Sequence, residues 1–416
     1  MPRAEVFVGL DIGTSGARAV VIDTAGAQVA QGAAAMTGNP RDPQVWWQAA
    51  RIALQAVLDV LDRSAVRAIA VDGTSGTLLA VDAAGRPLAD GLMYNDPCPD
   101  AAIVAAIARR APVTSAALGP NSGLARALMF QALRPHKVLH QADWVAFRFS
   151  GRMISDANNA LKTGYDPAQD CWGGWIAETG LDMAVLPDVV APGAPVGQIT
   201  ASAAAEFGLP PDTQVVAGTT DGCASFLATG AALPGEGVTV LGTTLTLKIL
   251  SDRPICAPDY GIYSHRLLGM WLAGGASNSG GAALLTHFTA GEIVSLSGQI
   301  DPETDSGLDY YPLPRPGERF PVADPAMQPR LTPRPDDRAL FLQGLFEGIA
   351  GIEALGYARL TELGAPPLTS VRTMGGGAGN PIWTRLRERR LQVPMLAPRS
   401  EAAAYGAAML ARRGVV

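Results

Sequence analysis

Val6-Phe7-Val8-Gly9-Leu10-Asp11-Ile12-Gly13-Thr14-Ser15-Gly16-Ala17-Arg18-Ala19-Val20-Val21-Ile22-Asp23 is the stretch that decides the fold. Its apolar start, residues 6–10, predicts a short strand. Residues 11–16 are Gly, Ser and Thr punctuation, and residues 17–23 are apolar again. Thr24-Ala25-Gly26 then predicts a further turn, so residues 6–30 read strand, turn, strand, turn, strand.

The pattern returns twice. Residues 68–91 carry Ala-Val-Asp72-Gly73-Thr74-Ser75-Gly76-Thr77-Leu-Leu, again strand, turn, strand, with a Gly turn after it. Residues 237–252 carry Val238-Thr239-Val240-Leu241, then Gly242-Thr243-Thr244, then a second apolar run. One Gly-Thr hairpin turn means little. The outer copies lie about 230 residues apart, about one domain length, and predict two domains with the same hairpin start. The chain's 416 residues, 48% hydrophobic and 17% charged, suit two packed cores and exclude a disordered chain.

Other elements follow from spacing. Val45, Ala49, Ile52, Ala56, Leu58 and Leu61 predict an amphipathic helix over residues 44–65. Residues 224–232 are expected to end a helix and cross between domains. Residues 301–337, rich in Pro, Gly and charge but carrying Tyr310, Tyr311, Leu313 and Phe320, predict a long ordered loop. Residues 343–363 predict a long amphipathic helix. A strand at 371–374 runs into Gly375-Gly376-Gly377-Ala378-Gly379-Asn380 and a helix at 381–390, the form of a nucleotide-binding turn. Residues 401–413 predict a final, Ala-rich helix.

The net charge of −6 gives no electrostatic reason to expect nucleic acid or an anionic membrane as partner. The lysines are Lys137, Lys162 and Lys248, none within a Gly-Lys-Ser/Thr loop, so any ATP is not held by a Walker-type loop. Cys98, Cys171, Cys223 and Cys256 show no CxxC spacing, and His136, His140, His265 and His287 form no metal-binding cluster. Largely buried thiols in a reducing cytoplasm are the expectation. No apolar run reaches about 18 residues, and the start moves directly into a strand, so neither a leader nor a membrane span is expected.

Phosphoryl transfer needs positioned phosphates, a metal, an in-line acceptor and a base. Gly13, Thr14, Ser15 and Gly16 offer open amides and two hydroxyls to an anion. Asp11 is placed to hold Mg²⁺, although a plain hairpin with an Asp in its turn fits the same residues. Gly242-Thr243-Thr244 carries the same two readings. Asp221 follows the apolar strand 215–217 at a strand-to-helix turn, as a general base or as the N-cap of the next helix. Asn380 and Trp383 follow the Gly-rich turn, facing adenosine or, for Trp383, packing on a helix face.

Together these residues resemble the FGGY carbohydrate kinases. Residues 9–18 are similar to the family's opening motif and residues 217–221 to its catalytic-Asp motif. Gly317-Glu318-Arg319-Phe320-Pro321 resembles its GERxP loop and residues 374–380 its adenosine motif. These run in family order over essentially the whole chain. Asp72-Gly73-Thr74-Ser75-Gly76-Thr77, Tyr94-Asn95-Asp96, Gln141-Ala142-Asp143-Trp144 and residues 308–314 resemble the short cyanobacterial and plant branch that phosphorylates D-ribulose. Arg126 stands where the family usually has Lys.

The resemblance implies an α/β fold of two actin-like (RNase H-like) domains, of the hexokinase/Hsp70/actin superfamily, flanking a cleft. Residues 1–228 would bind sugar, joined by a C-terminal helix at 402–416, and residues 229–401 would bind nucleotide. ATP, Mg²⁺ and a small sugar are the implied ligands. Asp221 would be the base, and Asp11 would lie at the metal and the acceptor oxygen. Thr14, Ser15, Gly16 and Ser75 would line the sugar and phosphate end. Gly13 and Thr14, with Gly242, Thr243, Gly275, Gly376, Gly377, Asn380 and Trp383, would line the nucleotide. The expected reaction is phosphorylation of D-ribulose to D-ribulose 5-phosphate, with D-xylulose or another polyol as the near alternative. An actin-like ATPase without sugar transfer is the distant one.

Overall fold

The computed structural model describes residues 5–416. The expected first-domain start at residue 1, and the chain start from which no leader was expected, fall on residues 1–4, outside the described residues. The chain divides into two compact units. The first holds residues up to 228, 265–268 and 400–416; the second holds 229–264 and 269–399.

In the first unit, β1 (Val6–Ile12), β2 (Gly16–Asp23) and β3 (Gln28–Ala35) form an antiparallel meander. β1 also pairs in parallel with β4 (Val66–Gly73). With β5 (Pro195–Gln198) and β6 (Gln214–Val216) the sheet order is β5-β6-β4-β1-β2-β3. In the second unit, β7 (Glu236–Leu241), β8 (Leu245–Ser251) and β9 (Met270–Ser277) form the same kind of meander. β7 pairs in parallel with β10 (Ser370–Met374), and β10 with β11 (Met395–Leu396). Thus β3-β2-β1-β4-β6 and β9-β8-β7-β10-β11 repeat one order and one set of strand directions.

The central strands are buried on both faces: every residue of β1 is buried. One face of the first sheet is covered by α1 (Pro43–Leu58), which Asp42 caps by accepting from the Gln44 amide. Its buried stripe is Trp46, Trp47, Ala49, Ala50, Ala53, Leu54, Val57 and Leu58. The predicted stripe is therefore rotated and too long: Ile52 is 48% exposed, because the two tryptophan rings claim the core. The helices α3 (Asp221–Ala228) and α6 (Ala403–Arg413) also belong to this unit. α6 lies so close to β1 that a Cβ at Gly9 would stand 1.9 Å from the Ala404 carbonyl oxygen. Only glycine permits that approach.

The second unit is built around α4 (Arg338–Glu362). It starts five residues before the predicted helix, because Asp337 caps it by accepting from the Ala339 and Leu340 amides. It is not amphipathic but buried on most sides, as befits a central core helix. Among the described residues it is the one helix long and apolar enough to cross a membrane, and 67% of its apolar window is buried in the fold. Residues 301–337 form the expected ordered loop, with Tyr310, Tyr311, Leu313 and Phe320 in the core.

Two local expectations are corrected. Residues 68–91 are not a hairpin: after β4 the chain turns away, and Leu78–Val81 pairs with Lys137–His140. Gln141 redirects it: its side-chain Oε1 accepts from the Thr74 amide at 3.0 Å, and its main-chain amide donates to the Thr77 carbonyl at 3.0 Å. The thiols are not all buried either, for Cys171 and Cys256 are exposed; no disulfide forms.

Candidate active site

β1 and β4 run in parallel register with Asp11 beside Asp72, so both carboxylates leave the same face of the sheet. A bridge between Gly73 and Thr220 extends the ladder past β6 and sets Asp221 at the first residue of α3. Asp221 is thus inside the helix and not the residue that precedes it; its Oδ1 accepts from the Gly222 amide at 2.6 Å. Three carboxylates gather at one end of the sheet: Asp11 7% exposed, Asp72 wholly buried and Asp221 half-buried.

Their electrostatics are coupled. Burial raises the Asp11 pKa first; the hydrogen bond with Asp72 lowers it, the Asp221 charge raises it, and Arg18, 3.9 Å away, lowers it. Burial and the Asp11 charge hold Asp72 well above the usual carboxylate range. Among the described residues no N–H or hydroxyl donor reaches either Asp72 oxygen. Its burial and the neighbouring Asp11 and Asp221 charges favour the protonated form of Asp72. A carboxyl whose folded pKa is raised costs stability above that pKa, and the cost vanishes below its unfolded value of about 4. Asp72→Asn keeps a neutral donor and is expected to melt above the wild type at pH 8. The gain should shrink as the pH falls toward about 4; an equal or lower melting temperature at pH 8 would show Asp72 to be a stabilising charge.

Between β1 and β2 the turn is closed by a Gly13 amide to Gly16 carbonyl bond of 2.9 Å, and Gly16 packs where a Cβ would lie 2.5 Å from the Ala34 carbonyl oxygen. Thr14 and Ser15 are exposed. The matching turn of the second unit holds Gly242, Thr243 and Thr244. Its carbonyls are engaged: Gly242 accepts from the Gly281 amide at 2.8 Å and Thr243 from the Ala282 amide at 3.0 Å. Among the described residues no main-chain carbonyl accepts from the amides of Thr14, Ser15, Thr243 or Thr244. Both turns therefore present main-chain donors to an anion.

The Glu318 side chain, in the GERxP-like loop, braces the second turn from behind. It accepts from the Ser277 hydroxyl at 2.5 Å, the Asn278 amide at 2.7 Å and the Tyr311 hydroxyl at 3.1 Å. The next residue, Ser279, accepts from the Leu245 amide at 2.8 Å, at the foot of the turn.

The Gly-rich turn follows β10. Gly375 has φ +86°, and Gly376 has open space on its Cβ side. Asn380 caps α5 (Pro381–Leu391): its Oδ1 accepts from the Trp383 amide at 3.0 Å and its Nδ2 donates to the Ser297 hydroxyl at 2.8 Å. Two residues expected at the nucleotide are packed in the core. Trp383 is 3% exposed, stacks on Phe346 at 4.8 Å and donates to the Phe346 carbonyl, so its ring is core. It supports the turn from beneath, where a Cβ on Gly377 would meet it at 2.7 Å. Gly275 is buried under the Phe320 ring, 2.5 Å from its Cβ position, which accounts for the glycine. Ser75 lies just past β4, its hydroxyl buried without a hydrogen-bond partner among the described residues.

Asp72 is the residue that sequence reasoning quoted but gave no role. Its signal was the repeat itself, which places Asp72 in one copy where Asp11 stands in the other. Among the described residues no group of three or more His, Cys, Asp or Glu side chains could hold a metal. The donor set fits a cation that takes one or two carboxylates and completes its shell elsewhere, as Mg²⁺ on a nucleotide does.

The FGGY family of carbohydrate kinases, N-terminal domain, matches residues 6–228, and its C-terminal domain matches residues 237–415. A xylulose kinase of Streptomyces coelicolor is 29% identical over 94% of this chain and 84% of its own length. An autoinducer-2 kinase of Yersinia pestis is 27% identical over 100% and 87%. A crystal structure described as a "xyloylose kinase" from Brucella ovis superposes with a TM-score of 0.87 at 26% identity, covering 99% of this chain and 90% of that one. The repeated sheet order places the fold with the actin-like ATPase superfamily, and the two domain matches span nearly all of the sequence: the chain belongs to the FGGY family of carbohydrate kinases.

Proposed function

We propose that the protein transfers the terminal phosphoryl group of ATP to a ketopentose, D-ribulose by the resemblance of residues 72–77, 94–96, 141–144 and 308–314. The observation that carries the reading is the gathering of Asp11, Asp72 and Asp221 at one sheet end, beside a turn whose amides are open. Asp221 accepts the proton of the sugar's terminal hydroxyl as that oxygen bonds to the transferred phosphorus and the bond to ADP breaks. Asp11, beside Asp72 on the neighbouring strand, would hold Mg²⁺, which when bound would neutralise phosphate charge. Thr14, Ser15 and Gly16 meet the phosphoryl group and the sugar. Ser75 supports this reading, because its buried, unpartnered hydroxyl is suited to a sugar hydroxyl. In the first unit Gly13 and Thr14 serve the nucleotide's phosphates; in the second unit Gly242, Thr243, Gly376, Gly377 and Asn380 serve the nucleotide, with Gly275 and Trp383 acting through the core beneath.

The relatives named xylulose kinase favour D-xylulose as a second acceptor. Purified protein with ATP is expected to release ADP when D-ribulose is added, at a kcat/KM above that for D-xylulose. The opposite order would move the assignment to D-xylulose. ATP hydrolysis that no pentulose or polyol accelerates, and that Asp221→Ala leaves unchanged, would favour an ATPase that transfers nothing to sugar.

A further inference from the structure

We propose that Arg126 is a positioning residue that holds the 74–77 turn and the 94–96 segment in one arrangement and so sets the acceptor preference; this rests on the assignment of the sugar to the first unit. Arg126 lies on α2 (Gly123–Phe130) and is wholly buried. Among the described residues no carboxylate forms an ion pair with it. Asp96, whose main-chain carbonyl it reaches, has its carboxylate engaged by Arg41 at 2.5 and 3.0 Å and by the Met93 amide at 2.8 Å. A buried guanidinium is tolerated only when its N–H groups are satisfied. Here four main-chain carbonyls satisfy it: Gly76 at 3.1 Å, Asn121 at 2.8 Å, Tyr94 at 2.5 Å and Asp96 at 3.2 Å.

Those carbonyls belong to three separate stretches of chain. Apart from a bridge between Leu78 and Leu92 and a bond from the Tyr94 amide to the Thr77 hydroxyl, at 3.2 Å, little else ties the 74–77 turn to the 94–96 segment. What Arg126 fixes includes one buried, unpartnered hydroxyl and two exposed polar side chains. Gly76, in the left-handed region at φ +89°, follows Ser75 with its unpartnered hydroxyl. Tyr94 is 45% exposed, and Asn95 is exposed beside it. The guanidinium thus holds the main chain that carries Ser75, Tyr94 and Asn95, and so sets the spacing of those polar side chains. A lysine, with three donors on one atom, cannot span four carbonyls that a planar fork reaches.

The test is Arg126→Lys, assayed with ATP and with D-ribulose and D-xylulose, together with amide hydrogen exchange. The variant is expected to raise KM for the sugar about tenfold and to change the preference between the two pentuloses, with KM for ATP within about twofold. Amides of residues 74–77 and 93–96 should exchange faster, and those of β1 and β4 should not. Unchanged sugar KM and exchange, or equal losses for both substrates with a uniformly lower melting temperature, would overturn the proposal and leave Arg126 a packing group. If Arg126→Lys does not fold, Thr77→Val, which removes the acceptor of the Tyr94 amide, takes its place: the same shift in sugar KM and local exchange is expected, and its absence overturns the proposal. If neither pentulose drives ADP release in the wild type, the sugar assignment fails, while the exchange rates still decide whether Arg126 holds the loops.

Discussion

Asp221→Asn is expected to lower kcat about 10²- to 10⁴-fold, the usual worth of a positioned base, while KM for ATP and the melting temperature stay close to wild type. The fold has little reason to respond. The Asp221 Oδ1 accepts from the Gly222 amide, and an Asn Oδ1 can accept the same bond. The change removes the capacity to take a proton and, with the charge, the upward push on the Asp11 and Asp72 carboxyls. Asp11→Asn should also depress kcat. If the two residues act on one reacting oxygen, the double variant should be scarcely slower than the worse single one. A loss below about tenfold for Asp221→Asn would assign the proton to another acceptor and leave Asp221 a helix residue.

The features legible in the sequence were those with local causes. The β1–β2 and β7–β8 hairpins could be read from apolar runs broken by Gly-Thr turns, since a hairpin needs only its own residues. The same pattern misled at residues 68–91. The partner of Leu78–Val81 is Lys137–His140, and the Gln141 contact that redirects the chain is 67 residues from Thr74. The face of α1 was misjudged because spacing weighs Ile52 like any apolar residue, whereas Trp46 and Trp47 fill far more of the core. In the site, Asp11 and Asp221 were visible from turn chemistry. Asp72 was not, because its meaning depends on β4 lying beside β1 with no offset at that pair. Trp383 was placed against adenosine on its position after a Gly-rich turn. Only Phe346, from another helix, shows that its ring is a support under that turn. Arg126 drew attention as a departure from the family's Lys, but its four acceptors are main-chain atoms and leave no trace in residue identity.

Arg387→Met is expected to destabilise the second unit by about 3–5 kcal/mol, the usual cost of leaving a buried charge without its partner. Arg387 and Glu353 are both 0% exposed and meet through two parallel bonds, 2.6 and 2.7 Å long. Glu353 also accepts from the Thr239 hydroxyl, and Arg387 donates to the Thr373 hydroxyl at 2.8 Å. The pair thus joins α4, α5, β7 and β10, and Thr373 and Arg387 stand on either side of the Gly375–Asn380 turn. Desolvating both ions costs about what their attraction returns, so the pair's net worth is small even though breaking it is costly. Glu353→Leu with Arg387→Met should therefore recover most of the stability lost in Arg387→Met alone, which a denaturant titration of the three variants would measure. Stability and turn geometry separate at this point. If the pair also fixes the turn, the double variant should remain stable yet show a raised KM for ATP. A double variant as unstable as the single one would mean that the ion pair contributes net stability; one with wild-type KM for ATP would mean that the turn is held by Trp383 and Asn380 alone.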